Sequence, residues 1–417
     1  MLSRVRNYVE NIKEFTVEGN TITFKAKEKY FKNFDAAASG YWEVYPKHIY
    51  EDVEKAKKIV NTAVGSGPFV INKYERGKQI VLTRNPKWWG WKDPNYAEQL
   101  NFDRVIFRIF GGERIKGLEL MKKGVGDFLE LSPEEYVVKT KGDVWRKNTE
   151  KIKTNIKRPM PYGYIGWNLT NPKFKDKKVR RALAMLMNRQ EMVKKYRYSL
   201  SEPATGPWFR KSPFANPEVK AIPFDPKAAL ALLREAGWKD SDKNGIVDKV
   251  VDGKKIELSF TIHFASKEHE KYLTWYQDDA KKAGVGIKLN LIEWNSLIKL
   301  LDERKFEAVR LGWGGGTIDN DPKQIWHSDS RRKGGSNYVG YNNPKVDELI
   351  DLARKEFDRD KRRPLLYEVY KLIAEDAPYV FLFNDTHIMY MHSKKIGKEK
   401  DGRTYGIGTS YWWDRTI

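Results

Sequence analysis

Cysteine is absent from all 417 residues. That excludes a disulfide framework, a thiolate zinc site, an iron–sulfur cluster and a cysteine nucleophile. It does not fix the compartment. Long apolar runs are also missing: no segment approaches the ~20 apolar residues of a membrane span. Runs such as Tyr379 to Phe383 are strand-sized. Met1 to Asn7 leads into a charged stretch without the apolar core and small-residue cleavage site of a signal peptide. Catalytic motifs are equally scarce. No Gly-x-Ser-x-Gly elbow occurs, and Ser296-Leu297-Ile298-Lys299 matches Ser-x-x-Lys without its companion motifs. Gly314-Gly315-Gly316 lacks the Gly-Lys-Ser/Thr of a P-loop. The six histidines contain no His-Glu-x-x-His. His387 and His392 are an odd number of residues apart, which puts them on opposite faces of a strand. His263 and His269 flank a strand–helix junction and read as surface groups. No nucleophile, base and oxyanion hole come together, so no enzyme is expected.

What is present is a folding chain. A hydrophobic fraction of 40% with 13% aromatic residues is too rich for disorder. The length suits two to three domains. Lys plus Arg number 78 and Asp plus Glu 56, giving 78 − 56 = +22. A surplus of this size favours anionic partners. Its distribution weakens that reading. The clusters Lys177-Lys178 with Arg180-Arg181, Arg331-Arg332-Lys333 and Lys394 to Lys400 are short, and acids interrupt most of the chain. Basic residues mixed with aromatics can stack single-stranded bases. However, no motif of the common RNA-binding sheets or zinc modules is found. A solvated basic surface is the simpler reading, and no nucleic acid is expected as a partner.

Residues 15–31 alternate apolar and polar around Glu18-Gly19-Asn20 and predict a β-hairpin. Residues 69–74 and 79–82 predict a second strand pair, and 105–110 a further strand. A helix at 115–123 ends at Gly124. Beyond residue 175 strand and helix alternate, which argues for an α/β lobe. Helices are predicted at 177–194 behind Asp176, at 226–236 behind Asp225-Pro226, and at 268–282, 295–305, 345–357 and 363–375. Strands are predicted at 256–264, 286–292, 306–313 and 379–383.

One metal pattern stands out. Asp240-Ser241-Asp242-Lys243-Asn244-Gly245-Ile246-Val247-Asp248 reproduces the first nine positions of a calcium loop. Asp240, Asp242, Asn244 and Asp248 supply side-chain oxygens, Ile246 its carbonyl, and Gly245 the sharp reversal. The twelfth position is Val251 rather than a bidentate Glu, with Asp252 adjacent. This is a candidate structural calcium site. The alternative is an Asx-rich turn joining a helix to a strand. No other cofactor is expected.

Val64-Gly65-Ser66-Gly67-Pro68-Phe69 is followed by Arg84-Asn85-Pro86-Lys87-Trp88-Trp89-Gly90. Together they resemble the extracellular solute-binding proteins of family 5, the peptide/nickel-type receptors of ABC importers. Further segments agree in the family's order. They are Pro46 to Tyr50, Leu120 to Phe128, Trp167-Asn168-Leu169, Asp176 to Leu183, Asp225 to Ala229 with Ala236-Gly237-Trp238, and Gly340 to Asp347. The similarity spans nearly the whole chain. It implies an α/β, two-lobed type II periplasmic-binding-protein fold with mixed sheets and an interlobe cleft. The lobes expected are 1–170, then 171–384, with 385–417 returning to the first.

The resemblance implies capture of peptides for delivery to the permease subunits of an ABC transporter. An oligosaccharide receptor of the same family is the runner-up, because Trp stacks on sugar rings. Periplasmic or cell-surface-attached localisation follows, the signal or lipid anchor lying outside these residues. In the peptide-binding branch a Trp and a nearby Asp follow the strand that matches 306–313. Trp313 matches the Trp. Gly314-Gly315-Gly316 fills the Asp position, so Asp319 and Asp321 become the candidates for an ammonium anchor. Asn337, Tyr338 and Trp208 are further ligand candidates, with core packing as the alternative for each aromatic. The family's opening strand has no counterpart before residue 15. This leads to the expectation of a fragment or reduced form with an unpaired sheet edge and poor stability alone.

Overall fold

Strands that are apolar on both faces belong inside a sheet covered from both sides. Tyr162–Trp167, Ala308–Trp313 and Tyr379–Asp385 are of this kind, and they form the centre of a six-stranded mixed sheet. The order across it is Gly286–Leu291, Ser259–Phe264, Ala308–Trp313, Tyr162–Trp167, Tyr379–Asp385 and Ser201–Pro203. The first three run parallel, and each later neighbour pair is antiparallel. The computed structural model describes residues 10–38, 46–59, 64–155, 159–332, 334–399, 401 and 406–416. Met1 to Asn7, Lys333 and Lys400, considered above, lie outside them.

Side chains alternate across this sheet as strand geometry requires. Ile165, Trp167, Ala308, Val380 and Leu382 join one buried cluster. The helices Lys177–Met185, Arg189–Arg197, Pro226–Glu235 and Glu270–Lys282 complete it. Tyr162, Tyr164, Val309, Leu311, Tyr379 and Phe381 join a second cluster, closed by Trp294–Glu303, Pro344–Lys355 and Arg359–Asp376.

Helix ends follow their caps. Asp176 accepts from the Lys178 amide at 2.8 Å and Asp225 from Ala228 at 2.9 Å. The single helix predicted over 177–194 is two helices, because Asn188 caps a new one by accepting from Glu191 N. The strand predicted over 256–264 divides at Leu258. Lys254–Glu257 pairs with Asp248–Val251, whereas Ser259–Phe264 enters the large sheet. The helix predicted to start at 363 starts at Arg359 behind the Asp358 cap, and Pro364 lies inside it.

The chain divides into two compact units. One holds the described residues of 1–42 and 159–385, the other those of 43–158 and 386–417. The first lobe expected over 1–170 is thereby split. The N-terminal hairpin, Ile12–Glu18 with Thr21–Ala26, leads to Tyr30 and Phe31, which are tied to the large unit. Phe31 N donates to Arg354 O at 2.9 Å, and the Arg362 guanidinium lies 3.9 Å from the Phe31 ring centre.

The second unit has two three-stranded sheets. Phe69–Glu75, Gln79–Arg84 and Arg104–Arg108 form one. The other places Ile388–Ser393 between Phe128–Glu130 and Thr149–Thr154, so residues after 385 supply its middle strand, buried throughout. No helix among the described residues is long and apolar enough to cross a membrane.

Candidate functional site

In an α/β sheet, ligands gather beyond the carboxyl ends of the strands. Trp313 ends its strand directly opposite Tyr162, so both point to the same face. Trp313 lies in a column of stacked rings. Tyr338 is parallel to it with centroids 6.0 Å apart, Tyr164 follows at 6.1 Å, and Tyr379 stacks on Tyr164 at 3.8 Å. Trp313 Nε1 donates to the Tyr379 hydroxyl at 3.3 Å.

The glycines after Trp313 have a steric cause. A Cβ on Gly315 would lie 1.9 Å from the Pro159 carbonyl oxygen, and Gly316 has φ +66°. The backbone thus runs tightly beside residue 159 and opens a recess of about 40 Å³. Tyr162, Trp208, Trp313, Gly315, Asp321 and Trp326 are among its walls. Two buried donors on these walls, Tyr162 Oη and Trp208 Nε1, have no hydrogen-bond partner among the described residues. Orphaned buried donors are costly, and binding sites are where they are tolerated. Burial, then the nearby Tyr379 and Tyr370, raise the Tyr162 pKa well above its ordinary value, so its hydroxyl keeps its proton to donate.

The structure brings Trp313, Trp208 and Asp321 to this recess. Asp321, however, is already engaged. It accepts from the Tyr30 hydroxyl at 2.5 Å and the Lys323 amide at 3.0 Å, with Arg354 Nε at 3.5 Å. Burial and the Asp321 carboxylate raise the Tyr30 pKa, which keeps that hydroxyl a donor. Asp319 is gripped by Arg359 and by Arg362 Nη2 at 2.6 Å. Both carboxylates therefore hold their own loop to neighbouring elements. Asn337 is fully buried and donates to the carbonyls of His327 and Tyr341 at 3.1 and 2.8 Å while accepting from Tyr341 N. It pins a turn and is absent from the recess lining. Tyr338 contributes its ring to the column, and Trp208 packs edge-on against Tyr370 at 5.1 Å.

A second cluster, on the opposite face of the same sheet, has no counterpart among the sequence expectations. Arg310 occupies the middle of an otherwise apolar strand, and no ion pair to it occurs among the described residues. Gly163 makes its room: a Cβ there would lie 2.6 Å from Arg310 Nη2. Burial draws the Arg310 pKa down to about 10, with Arg197 adding repulsion. His269, far from a plain surface group, has a buried Nδ1 without a hydrogen-bond partner among the described residues. Burial first, then Arg310 and Arg197, push it down to about 3. Arg197 bonds to Asp385 and, through Nε, to Ser201 Oγ at 2.5 Å. Asp385 thus matches Arg197, while Arg310, beside the neutral His269 imidazole, has no counter-charge among the described residues. An incoming anion would relieve that imbalance. The signal available beforehand was the charge of Arg310 within a buried strand.

The calcium-loop residues converge as far as the described groups go. Carboxylate oxygens of Asp240, Asp242 and Asp248 lie within 4.8 Å of one another, and Gly245 has φ +89°. The loop also satisfies itself. Asp240 accepts from Asn244 N and Gly245 N, Asp248 from Ser241, and Asn244 Oδ1 from Ile246 N. Lys255 bridges Asp242 and Asp248. The donor set suits a hard cation in type, with the Lys255 ammonium as a competitor for the same carboxylates.

Known proteins agree with this architecture. The family described as bacterial extracellular solute-binding proteins, family 5 middle, matches residues 5–335. The oligopeptide-binding protein AppA of Bacillus subtilis is 30% identical over 404 residues, covering 94% of this chain and 70% of that protein. The structure of Bacillus subtilis AppA with a nonapeptide superposes with a TM-score of 0.81 at 27% identity, over 98% of this chain and 79% of that one. NikZ of Campylobacter jejuni with Ni(L-His) gives 0.80 at 22% identity, over 99% and 80%. The fold is thus that of the two-domain periplasmic binding proteins, and the chain belongs to the extracellular solute-binding proteins of family 5.

Proposed function

We propose that this protein binds peptides outside the cytoplasm and presents them to the permease of an ABC importer, without catalysing a reaction on them. The observations that carry this reading are a donor-lined aromatic recess on one face of the central sheet and, on the opposite face, the buried Arg310 guanidinium with no ion pair among the described residues. A peptide offers what both need: carbonyls for Tyr162 Oη and Trp208 Nε1, and a carboxylate for Arg310 and His269. AppA and the dipeptide-binding protein of Pseudomonas aeruginosa are named for peptides, which supports the same class. Asp319 and Asp321 are occupied by arginines and Tyr30, so recognition of the free amine is a minor contributor here. Calorimetry with peptides bearing a free or an amidated C-terminus tests this. The free form should bind at least tenfold more tightly, and Arg310→Met should erase the difference. Equal affinity in the unaltered protein would refute the carboxylate role, and no binding of any peptide would refute the function.

A further inference from the structure

A basic cavity of the second unit has no part in the site above. It encloses about 540 Å³, within the range of small-molecule sites. Lys141, Arg146, Lys151 and Lys394 line it against a single lining carboxylate, Glu150. Glu150 is itself drawn away, with His392 Nε2 at 3.6 Å and Arg415 Nη1 at 3.9 Å. Arg146 has Asp143 at 3.6 Å, but both side chains are open to water, where such a pair is weak. Among the described residues no acid pairs with Lys141 or Lys394.

The floor is organised by Lys151. Its ammonium donates to Tyr136 O at 2.6 Å and to Thr140 O and Oγ1, each at 3.1 Å. Those bonds hold the end of the Glu135–Lys139 π-turn, a rare backbone form enriched at functional sites. The donors of Lys151 are thereby used up, but its charge remains. Its pKa is lowered by burial and then by repulsion from Arg146. The buried Trp145 gives the cavity an apolar wall. The exposed lysines 141 and 394 are the groups placed to donate to a guest.

We propose that this cavity binds a phosphate oxyanion carried on a small organic body or a lipid headgroup. Three net positive charges from lysine and arginine favour a compact, highly charged anion, and lysine binds phosphate as a point charge. The apolar wall accepts the carrier of that phosphate.

The test uses the full chain and the Lys141→Ala/Lys394→Ala double variant. Equilibrium dialysis with glycerol 3-phosphate and inorganic phosphate should show saturable binding, weakened at least tenfold in the variant. Sedimentation with phosphatidylglycerol against phosphatidylcholine vesicles separates the sources. Pelleting with phosphatidylglycerol that the variant loses assigns the headgroup, and dialysis binding without pelleting assigns a soluble phosphate. Absence of both, or equal binding by the variant, overturns the proposal. Peptide affinity should be equal in the two proteins, which shows that the fold survives the substitutions.

Discussion

The two units are built from similar elements and differ in how well these are covered. In the large unit both faces of the central sheet are closed by helices, and Trp167 is 0% exposed between Phe174 and Phe260. In the smaller unit the Phe69–Glu75, Gln79–Arg84 and Arg104–Arg108 sheet leaves Val70, Ile106 and Phe107 open to water, the last 54% exposed. Trp89 nearby is 62% exposed. Burial is what converts apolar residues into stability. The same aromatic content thus does different things: in one unit it locks the fold, in the other it stands on the surface. Long-range organisation should therefore be sharpest in the large unit, where the candidate peptide site sits.

The largest expected effect tests that contrast directly. Trp167→Ala removes a fully buried ring and should cost about 3–5 kcal/mol in denaturant unfolding. Phe107→Ala should cost about 0.5 kcal/mol or less, as exposed positions do. Equal costs at the two sites would show that the second sheet is covered in solution.

Next comes the Tyr30–Asp321–Arg354 contact, which ties the N-terminal segment to the large unit. Asp321→Asn leaves Arg354 without its carboxylate and should cost about 2–3 kcal/mol, the range for half-buried charged partners. Peptide affinity measured on the folded variant should change less than threefold. A large affinity loss with unchanged stability would restore Asp321 as a ligand anchor.

That contact also marks the limit of what the chain reveals by itself. The hairpins and most helices were legible, because periodicity, caps and ordered motifs are local signals. The roles of Asp319 and Asp321 were not. Tyr30 and Asp321 are 291 residues apart, and nothing in local spacing announces that pairing. Arg310 was readable as a misplaced charge within an apolar strand. Its neighbours Arg197 and His269 come from other elements and become visible only when the sheet is assembled. The break at Asn188 is readable too, since Asn is a strong cap.

A smaller effect separates the units by pH. His269 titrates near 6.5 when unfolded and is held down to about 3 in the folded protein. As pH falls below 6.5 the unfolded chain takes up a proton that the folded one refuses. Stability conferred by the neutral imidazole is therefore complete above pH 7 and declines toward pH 3. By pH 5.5 the loss should be about 1 kcal/mol. His269→Gln should remove that part of the slope, and the change should appear in hydrogen exchange of the 259–264 and 308–313 strands. An unaltered profile would show that His269 does not titrate as its surroundings require.

The smallest effect concerns the loop of Asp240, Asp242 and Asp248. Lys255 already neutralises two of its carboxylates, and the Lys255–Asp242 pair is open to water, where such a pair is worth little, while the buried Asp248 is held mainly by Ser241. The same ammonium must be displaced before a calcium ion can share those oxygens, and the missing Glu at the twelfth position leaves fewer ligands to replace what is lost. Lys255→Met should therefore leave unfolding within about 0.5 kcal/mol of the original while strengthening calcium binding several-fold in calorimetry. If both proteins ignore millimolar calcium, the loop is an Asx-rich turn closed by its own lysine. If the unaltered protein binds calcium as tightly as the variant, the Lys255 bridge gives way to calcium without measurable cost.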